Sequence, residues 1–455
     1  MSVVLPKELA YAPSLPSLPE CSSKEVVLSA VNGNSFVAGN LVQWDFPQMD
    51  FLDPASLYIR YRVSVPQVAT NKYVIKKIPV YTLIQKLEVL FGSQVVETIN
   101  DYNVWTNLWS DLQLDVAQRY GSATAYGMSG GTSYNASTLA EVSDGANLIP
   151  ANVATQNFSL SAPLPCILSG AEKLVPLGMM PQVRLQITLE SIVNAFLSAG
   201  AEADNTIVVP ASVTFSNMEL CYTAVSFGGE VQEMVKSMGD KIYIKSQSVS
   251  AMGNNVSVAS VGTIDLIYNQ RLASVKSLFA TFCPITASTT DRAVNGKFDS
   301  IDITSANGSL VFNIAGVNYP QREISTLYNK ASVMTELRKA CGALHADAFF
   351  PCISKLEFNF CDSAPPAGET MAGGSALATT ATARHNPGKF YFGVNTEKLT
   401  TNGVLLSGIS TQSSPISLRI NTGTATTYGY NVSLFALYDA LIEVSPLMRD
   451  ASVKQ

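Results

Sequence analysis

Short segments with alternating apolar and polar side chains recur along this chain and constrain its fold more than any other feature. In the stretch LYIRYRVSV (57–65), Leu, Ile, Tyr and Val side chains fall on one face of an extended backbone, and Tyr, Arg and Ser side chains fall on the other. Similar stretches are QVRLQITLE, KLEFNF, ISLRI and VSLFALY, separated by clusters of Gly, Pro, Asn and Ser. The pattern predicts an all-β fold of sandwiches or barrels and disfavours alternating β-α-β units.

Helical periodicity is confined to a few segments. From Ile99 onward, apolar residues recur at steps of three and four, which predicts one helix of about five turns. Its apolar stripe consists of Ile99, Tyr102, Trp105, Leu108, Trp109, Leu112 and Val116. This helix would either cover the open end of a β-sandwich or lie between subunits. A second helix is predicted over 327–341, with Gly342 as its C-terminal cap.

The two helical segments indicate an internal repeat. Glu97, Tyr102 and Asn103 match Glu323, Tyr328 and Asn329 at one constant separation of about half the chain, and in each half a strand, a glycine and a helix follow in the same order. We therefore expect two similar β-rich units at 25–228 and 242–445. An extended Pro-rich arm is predicted at 1–24, a linker with a short helix at 229–241 and a tail at 446–455. Low-complexity stretches that start at Gly121 and Ala364 are predicted to be long loops.

The composition favours association between copies of the chain. Charged residues make up 14% and hydrophobic residues 47%, whereas an average soluble protein has roughly 25% charged residues. Interface cores are depleted of Lys, Glu and Asp, so self-association explains this shortage more simply than an unusually large core. A net charge of -6 without any basic run argues against binding of duplex nucleic acid.

Three further features bear on where the protein folds. The first twenty residues contain four prolines, a lysine and two glutamates in place of the apolar run of a secretory signal. The most apolar long segment, 174–197, contains charged residues and prolines, which argues against a membrane span. The seven cysteines have irregular spacing and mostly apolar neighbours, so we expect free, buried thiols and folding in a reducing compartment.

Motifs for chemistry are weak throughout the sequence. The chain has two histidines, neither with ligands at metal-binding spacing, and it has no nucleotide-binding glycine motif. A G-x-S-x-G match at 127–131 lies in a Gly/Ser-rich stretch and lacks the strand and helix that such a nucleophile needs. We therefore predict no catalytic residue, no cofactor and no metal site. Two alternatives stay open: a two-domain glycan-acting hydrolase, and a carbohydrate-binding or attachment protein.

The order of these segments resembles the double jelly-roll major capsid proteins of icosahedral DNA viruses, the lineage of adenoviruses and giant viruses. The resemblance covers about residues 30 to 445. It is carried by SFVAGNLVQWDFPQMDFLDPASLYIRYRVSV, LIQKLEVLFGSQVVETINDYNVWTNL, EKLVPLGMMPQVRLQITL and NYPQREISTLYNKASVMTEL. It implies two tandem eight-stranded jelly rolls in each chain and a homotrimer whose six barrels give a pseudo-hexagonal footprint that tiles a shell.

The sequence and the resemblance together predict a structural protein, not an enzyme. Its main partner would be itself, first as a trimer and then as a capsid lattice in the virion, together with minor capsid or vertex proteins. The resemblance leaves open contact of the N-terminal arm with an internal membrane, and the N-terminal sequence predicts synthesis in the host cell interior without secretion. The residues predicted to mediate self-association are Tyr102, Trp105, Trp109 and Leu112.

Overall fold

The alternating stretch LYIRYRVSV forms a strand, Tyr58–Val65, with buried and more exposed side chains in strict alternation. The computed structural model describes residues 21–66, 73–75, 77–128, 148–149, 155–198, 210–237, 239–257, 260–285, 297–298, 300–304, 308–325, 329–344, 353, 355, 358, 388–397, 406–423 and 429–455. Strands account for most of the regular structure in these residues, as predicted.

The first half of the chain contains fourteen strands in the described residues. They are β1 (Cys21–Ser29), β2 (Ser35–Val37), β3 (Leu41–Asp45), β4 (Phe51–Leu52), β5 (Tyr58–Val65), β6 (Tyr73–Ile75), β7 (Ile84–Phe91), β8 (Gln94–Ile99), β9 (Leu148–Ile149), β10 (Gln156–Pro163), β11 (Val175–Pro176), β12 (Val183–Leu189), β13 (Phe196–Ser198) and β14 (Thr214–Phe227). The second half has β15 (Ile242–Val256), β16 (Thr263–Tyr268), β17 (Val275–Ile285), β18 (Ser309–Ile314), β19 (Val317–Ser325), β20 (Tyr391–Asn395), β21 (Ile416–Asn421), β22 (Gly429–Ser445) and β23 (Asp450–Lys454).

The two halves share one strand topology. The eight main strands of the first half are β1, β3, β5, β7, β8, β10, β12 and β14, and those of the second are β15 to β22. When the eight main strands of either half are numbered 1 to 8 along the chain, they pair in the orders 1-8-3-6 and 2-7-4-5. Each half therefore has two antiparallel sheets. Two such sheets packed face to face form a jelly roll. The predicted double jelly-roll fold is therefore confirmed, and we call the halves the first and second barrels.

Apolar side chains fill the space between the sheets of each barrel. Trp44 in β3 is fully buried, and its indole N–H donates to the carbonyl of Met218 in β14 of the facing sheet, at 3.3 Å. In the second barrel, Phe312 of β18 stacks on Phe392 of β20 with ring centroids 5.1 Å apart. Buried apolar residues of both barrels belong to one contiguous cluster. This continuity means that the barrels touch through apolar side chains as well as through the chain that links them.

Six α-helices have both ends among the described residues: α1 (Pro79–Thr82), α2 (Tyr102–Gln113), α3 (Val116–Tyr126), α4 (Ile192–Ala195), α5 (Gly229–Ser237) and α6 (Lys330–Ala340). The prediction of one long helix after Ile99 is wrong, because a new helix starts at Asp115. Its carboxylate accepts from the N–H of Gln118, whose side chain accepts from the N–H of Asp115. This capping box stabilises a helix start and separates α2 from α3.

Some sequence predictions change in detail. The loop predicted from Gly121 begins in α3, and the rest of it, like most of the stretch from Ala364, lies outside the described residues. Of the strand predicted at 355–360, only Lys355 and Phe358 are described, and both are helical. Gly342 follows α6 with a φ of +73°, in the left-handed region expected of a C-terminal cap. The predicted arm and tail overlap the strands β1 and β23, while α5 lies within the predicted linker.

Candidate functional site at the contact between the barrels

The helix α2 belongs to the first barrel and packs its aromatic side chains against the second. The Trp105 ring centroid lies 5.9 Å from that of Phe279 in β17 and 5.5 Å from that of Phe435 in β22. Trp109 stacks on Trp105 at 5.1 Å and meets Phe279 edge-on at 6.2 Å. Such aromatic pairs are each worth about 0.5–1.5 kcal/mol beyond their buried area. The cluster therefore fixes the second barrel against α2.

The four residues predicted to mediate self-association all lie on this helix. Tyr102, Trp105 and Leu112 are buried within one chain, and Trp109 is half-buried. Contacts inside the chain account for their burial, above all the aromatic cluster with the second barrel. The expectation that they also contact another copy stays a prediction. The periodicity of the sequence could not indicate that the surface packed against this helix comes from the second half of the same chain.

A buried ionic cluster lies beyond the tryptophans on the same helix. The Asp111 carboxylate is fully buried and accepts a hydrogen bond from the Tyr391 hydroxyl of the second barrel at 2.9 Å. Its oxygens also lie 3.5 Å from Lys389 Nζ, in the second barrel, and 4.0 Å from Lys77 Nζ, in the first. Removing one partner of such a buried pair costs about 3–5 kcal/mol, because a charge is left without compensation. The cluster therefore specifies how the barrels meet.

A second ion-pair cluster joins the barrels near α4. Lys297 Nζ, from the second barrel, lies 2.7 Å from Glu190 Oε2 and 2.9 Å from Asp101 Oδ1, both in the first. Asn103 Nδ2 donates to Glu190 Oε2 at 2.7 Å. Burial alone would raise the pKa of Glu190, but the Lys297 ammonium outweighs it and holds that pKa below its usual value. Glu190 is thus held as a carboxylate that binds the second barrel.

Glu97 is a buried carboxyl at the centre of the contact. Its Oε2 accepts from the backbone N–H of Ile167 at 2.8 Å, and its Oε1 accepts from the Ser248 hydroxyl of β15 in the second barrel. Burial raises the pKa of Glu97 to about 7, although both hydrogen bonds act in the opposite direction. The sequence singled out Glu97 only as a member of the repeat, and its partner Glu323 in β19 is exposed.

Backbone atoms of the two barrels also come into direct contact. The N–H of Glu172 donates to the carbonyl of Lys245 at 2.9 Å, and the Ser246 hydroxyl donates to the carbonyl of Ile167 at 2.5 Å. A Cβ at Gly170 would lie 2.4 Å from the carbonyl oxygen of Gln247, so only glycine fits at this point. This glycine had no sequence signal, because its constraint comes from the second barrel and not from its own turn.

The described residues hold no group of three or more His, Cys, Asp or Glu side chains placed to bind a metal ion. Both histidines lie outside the described residues. The five described cysteines are free, and Cys21 is exposed, contrary to the expectation of buried thiols; Cys352 and Cys361 are not among the described residues. Within the described part of the chain, no helix is long and apolar enough to span a membrane.

Comparisons with known proteins agree with this architecture. Residues 57–220 match the family model described as the major capsid protein N-terminus. The fold is similar to that of the PBCV-1 virus capsid, with a TM-score of 0.60 and 11% identity over 98% of this chain and 99% of that chain. It is also similar to the Faustovirus major capsid protein, with a TM-score of 0.59 and 10% identity over 96% of this chain and 93% of that chain. A chain in the structure of the Sputnik virophage has a TM-score of 0.56 and 12% identity over 100% of this chain and 93% of that chain. No curated protein sequence matches the chain.

The fold and the two-barrel contact define a double jelly-roll protein, and the family match in the first barrel is to major capsid proteins. The predicted resemblance to double jelly-roll major capsid proteins is therefore confirmed, and with it a structural role in a viral capsid.

Proposed function

We propose that this chain is a capsomer subunit that associates head to tail into a homotrimer and then tiles an icosahedral shell. The observation that carries the proposal is a sheet face covered in one barrel and open in the other. In the second barrel, β17 is buried on nearly its whole length, because α2 of the first barrel packs on Phe279 and α6 of the second barrel packs on Ser277. The equivalent strand β5 of the first barrel leaves Arg60 and Arg62 exposed.

Repeating the contact between the barrels would place the second barrel of another copy on this open face. Such a head-to-tail contact generates a closed ring when the rotation closes. Two barrels per chain and three chains per ring give six barrels, which is the pseudo-hexagonal footprint. The units at 25–228 and 242–445 would then occupy alternate positions. The same geometry gives wide, weakly charged flanks for lattice contacts in the virion shell.

Charge reversal on the open face tests this arrangement. Arg60 forms an exposed ion pair with Glu219 at 2.5 Å, so we expect the R60E/R62E double variant to fold but to remain monomeric. The matched control is R419E/R322E, which breaks the exposed Arg419–Asp265 pair of 2.9 Å on the other sheet of the second barrel. In light scattering, the wild type and the control should have three times the chain mass of 48.6 kDa. A monomeric wild type would contradict the proposal.

The remaining expected partners belong to the same role. Minor capsid or vertex proteins would bind the flanks of the assembled trimers, and the part of the N-terminal arm before residue 13 would order on neighbouring copies or on an internal membrane as it binds. Synthesis in the host cell interior accords with the free thiols of the five described cysteines. Cryo-electron microscopy of assembled particles would display these contacts, and a shell in which residues 1–12 contact neither a neighbouring copy nor a membrane would contradict the role proposed for the arm.

A further inference from the structure

A groove with a mixed apolar and polar lining opens where the two barrels and the linker helix α5 meet. Its apolar lining residues are Met49, Phe51, Pro176, Gly178, Met179, Pro446 and Leu447, its polar and charged lining residues are Gln48, Asp50, Gln232, Lys236 and Arg449, and its volume is about 420 Å³. Apolar side chains are unusually exposed here: Met49 is 57%, Leu447 72% and the adjacent Met448 85% exposed. A contiguous exposed apolar patch on a soluble protein indicates a binding surface.

The described chain begins at the edge of this groove. Cys21, the first residue of β1, pairs with Phe227, whose ring meets that of the groove residue Phe51 edge-on at 5.3 Å. Lys24 Nζ lies 3.2 Å from the carboxylate of Asp50, which also lines the groove. The residues just before Cys21 therefore leave the first barrel within reach of the groove.

The sequence of these residues fits the apolar part of this groove, where Met49 and Leu447 are exposed. Residues 13–19 read PSLPSLP, with prolines at every third position and leucines at every third position between them. A polyproline II helix has three residues per turn, so in that conformation Leu15 and Leu18 share one face and the serines share another. Proline-rich segments dock in apolar grooves in this form because little conformational entropy is lost. The segment carries no charge, so burying it leaves no ion without a partner.

We propose that residues 13–19 of the same chain dock in this groove as a polyproline II helix, with Leu15 and Leu18 against the Met49 and Leu447 side chains. The segment then ties together the first barrel, α5 and the turn that joins β22 to β23. Docking within the chain is favoured over docking on a second copy because only one residue, Glu20, separates the segment from β1.

Cysteine cross-linking tests the identity and the origin of the occupant. In a C21S background, which removes the exposed native thiol, we expect L15C/L447C to form an intrachain disulfide on mild oxidation, at least several times faster than the control S14C/L447C. Mobility on non-reducing electrophoresis and peptide mapping identify the link. Equal rates of disulfide formation in the two variants would show that Leu15 does not face Leu447, and would overturn the proposal. An interchain link would assign the groove to a second copy and overturn docking within the chain.

Hydrogen exchange gives a second measurement that does not need new thiols. We expect L15D/L18D to speed exchange of the amides at 446–449, whereas S14D/S17D, with the same added charge on the other face, leaves it unchanged. Unchanged exchange in both variants would overturn the proposal and leave the groove to another protein or a lipid. Light scattering on the same samples reports the trimer separately, so failure of the proposed assembly and failure of docking can be told apart.

Discussion

Single residues at the contact between the barrels have roles that depend on both halves of the chain. Glu97 is hydrogen-bonded to Ile167 on its own side and to Ser248 on the other, and its burial makes ionisation costly. Gly170 provides the space for the carbonyl of Gln247. Each residue therefore reports on the two-barrel arrangement in a way that a residue in the core of one barrel does not.

The raised pKa of Glu97 predicts a dependence of stability on pH. The folded pKa of about 7 exceeds the ordinary value of 4.5, so the folded state holds this proton more tightly than the unfolded state. The resulting stabilisation is complete below pH 4.5 and is lost as pH rises to about 7, by on the order of 3–4 kcal/mol. We expect Glu97→Gln to remove this part of the pH dependence in thermal unfolding between pH 5 and pH 8. If the thermal stability of Glu97→Gln varied with pH in the same way as that of the wild type, the result would contradict a buried Glu97 carboxyl hydrogen-bonded to both barrels.

The close approach at Gly170 predicts an asymmetric effect of adding one methyl group. Gly170→Ala forces the barrels apart and should cost about 1–3 kcal/mol in the free energy of unfolding. Gly121 in α3 has open space around its Cβ position, so Gly121→Ala should stabilise the helix by about 0.4–1 kcal/mol. Chemical denaturation of both variants measures the two changes in the free energy of unfolding. Equal changes at Gly170 and Gly121 would refute the close approach of the barrels at Gly170.

At the scale of elements, α2 couples the barrels. Trp105→Ala should cost about 3–5 kcal/mol and should separate thermal unfolding into two transitions, because the aromatic contact with Phe279 and Phe435 is lost. Trp44→Ala is the control, since Trp44 packs between the sheets of the first barrel alone. Calorimetry should detect a similar loss for Trp44→Ala in the first barrel with the coupling retained. A single transition in Trp105→Ala would contradict the coupling role of α2.

Elements were predictable from sequence where local signals were sufficient. Alternation identified β5, β12, β21 and part of β22, because alternate side chains of a strand face a core. The predicted helix after Ile99 extended too far because its apolar stripe continued across the break, although the Asp115 and Gln118 pair marked a new start. The repeat emerged from a few matched letters and proved to be a shared strand topology.

The contact between the barrels was not predictable, for a physical reason. Periodicity indicates which face of an element is apolar but not what covers it, so the stripe with Trp105 was consistent both with the open end of a β-sandwich and with a partner subunit. Lys297 and Glu190 are far apart in the chain and carry no local pattern that links them. Only the fold brings them within 2.7 Å.

At the scale of the whole molecule, the central claim is that the contact between the two barrels of one chain is repeated between neighbouring chains of a trimer. In the second barrel, β17 is covered by α2 of the first barrel together with α6 of its own barrel, and the first barrel has the matching face open at Arg60 and Arg62. Cryo-electron microscopy of the purified assembly tests this claim most directly. The account predicts a three-fold particle with six barrels, in which the second barrel of each copy covers β5 of the next. A monomer, a two-fold dimer, or a trimer that leaves β5 exposed would contradict it.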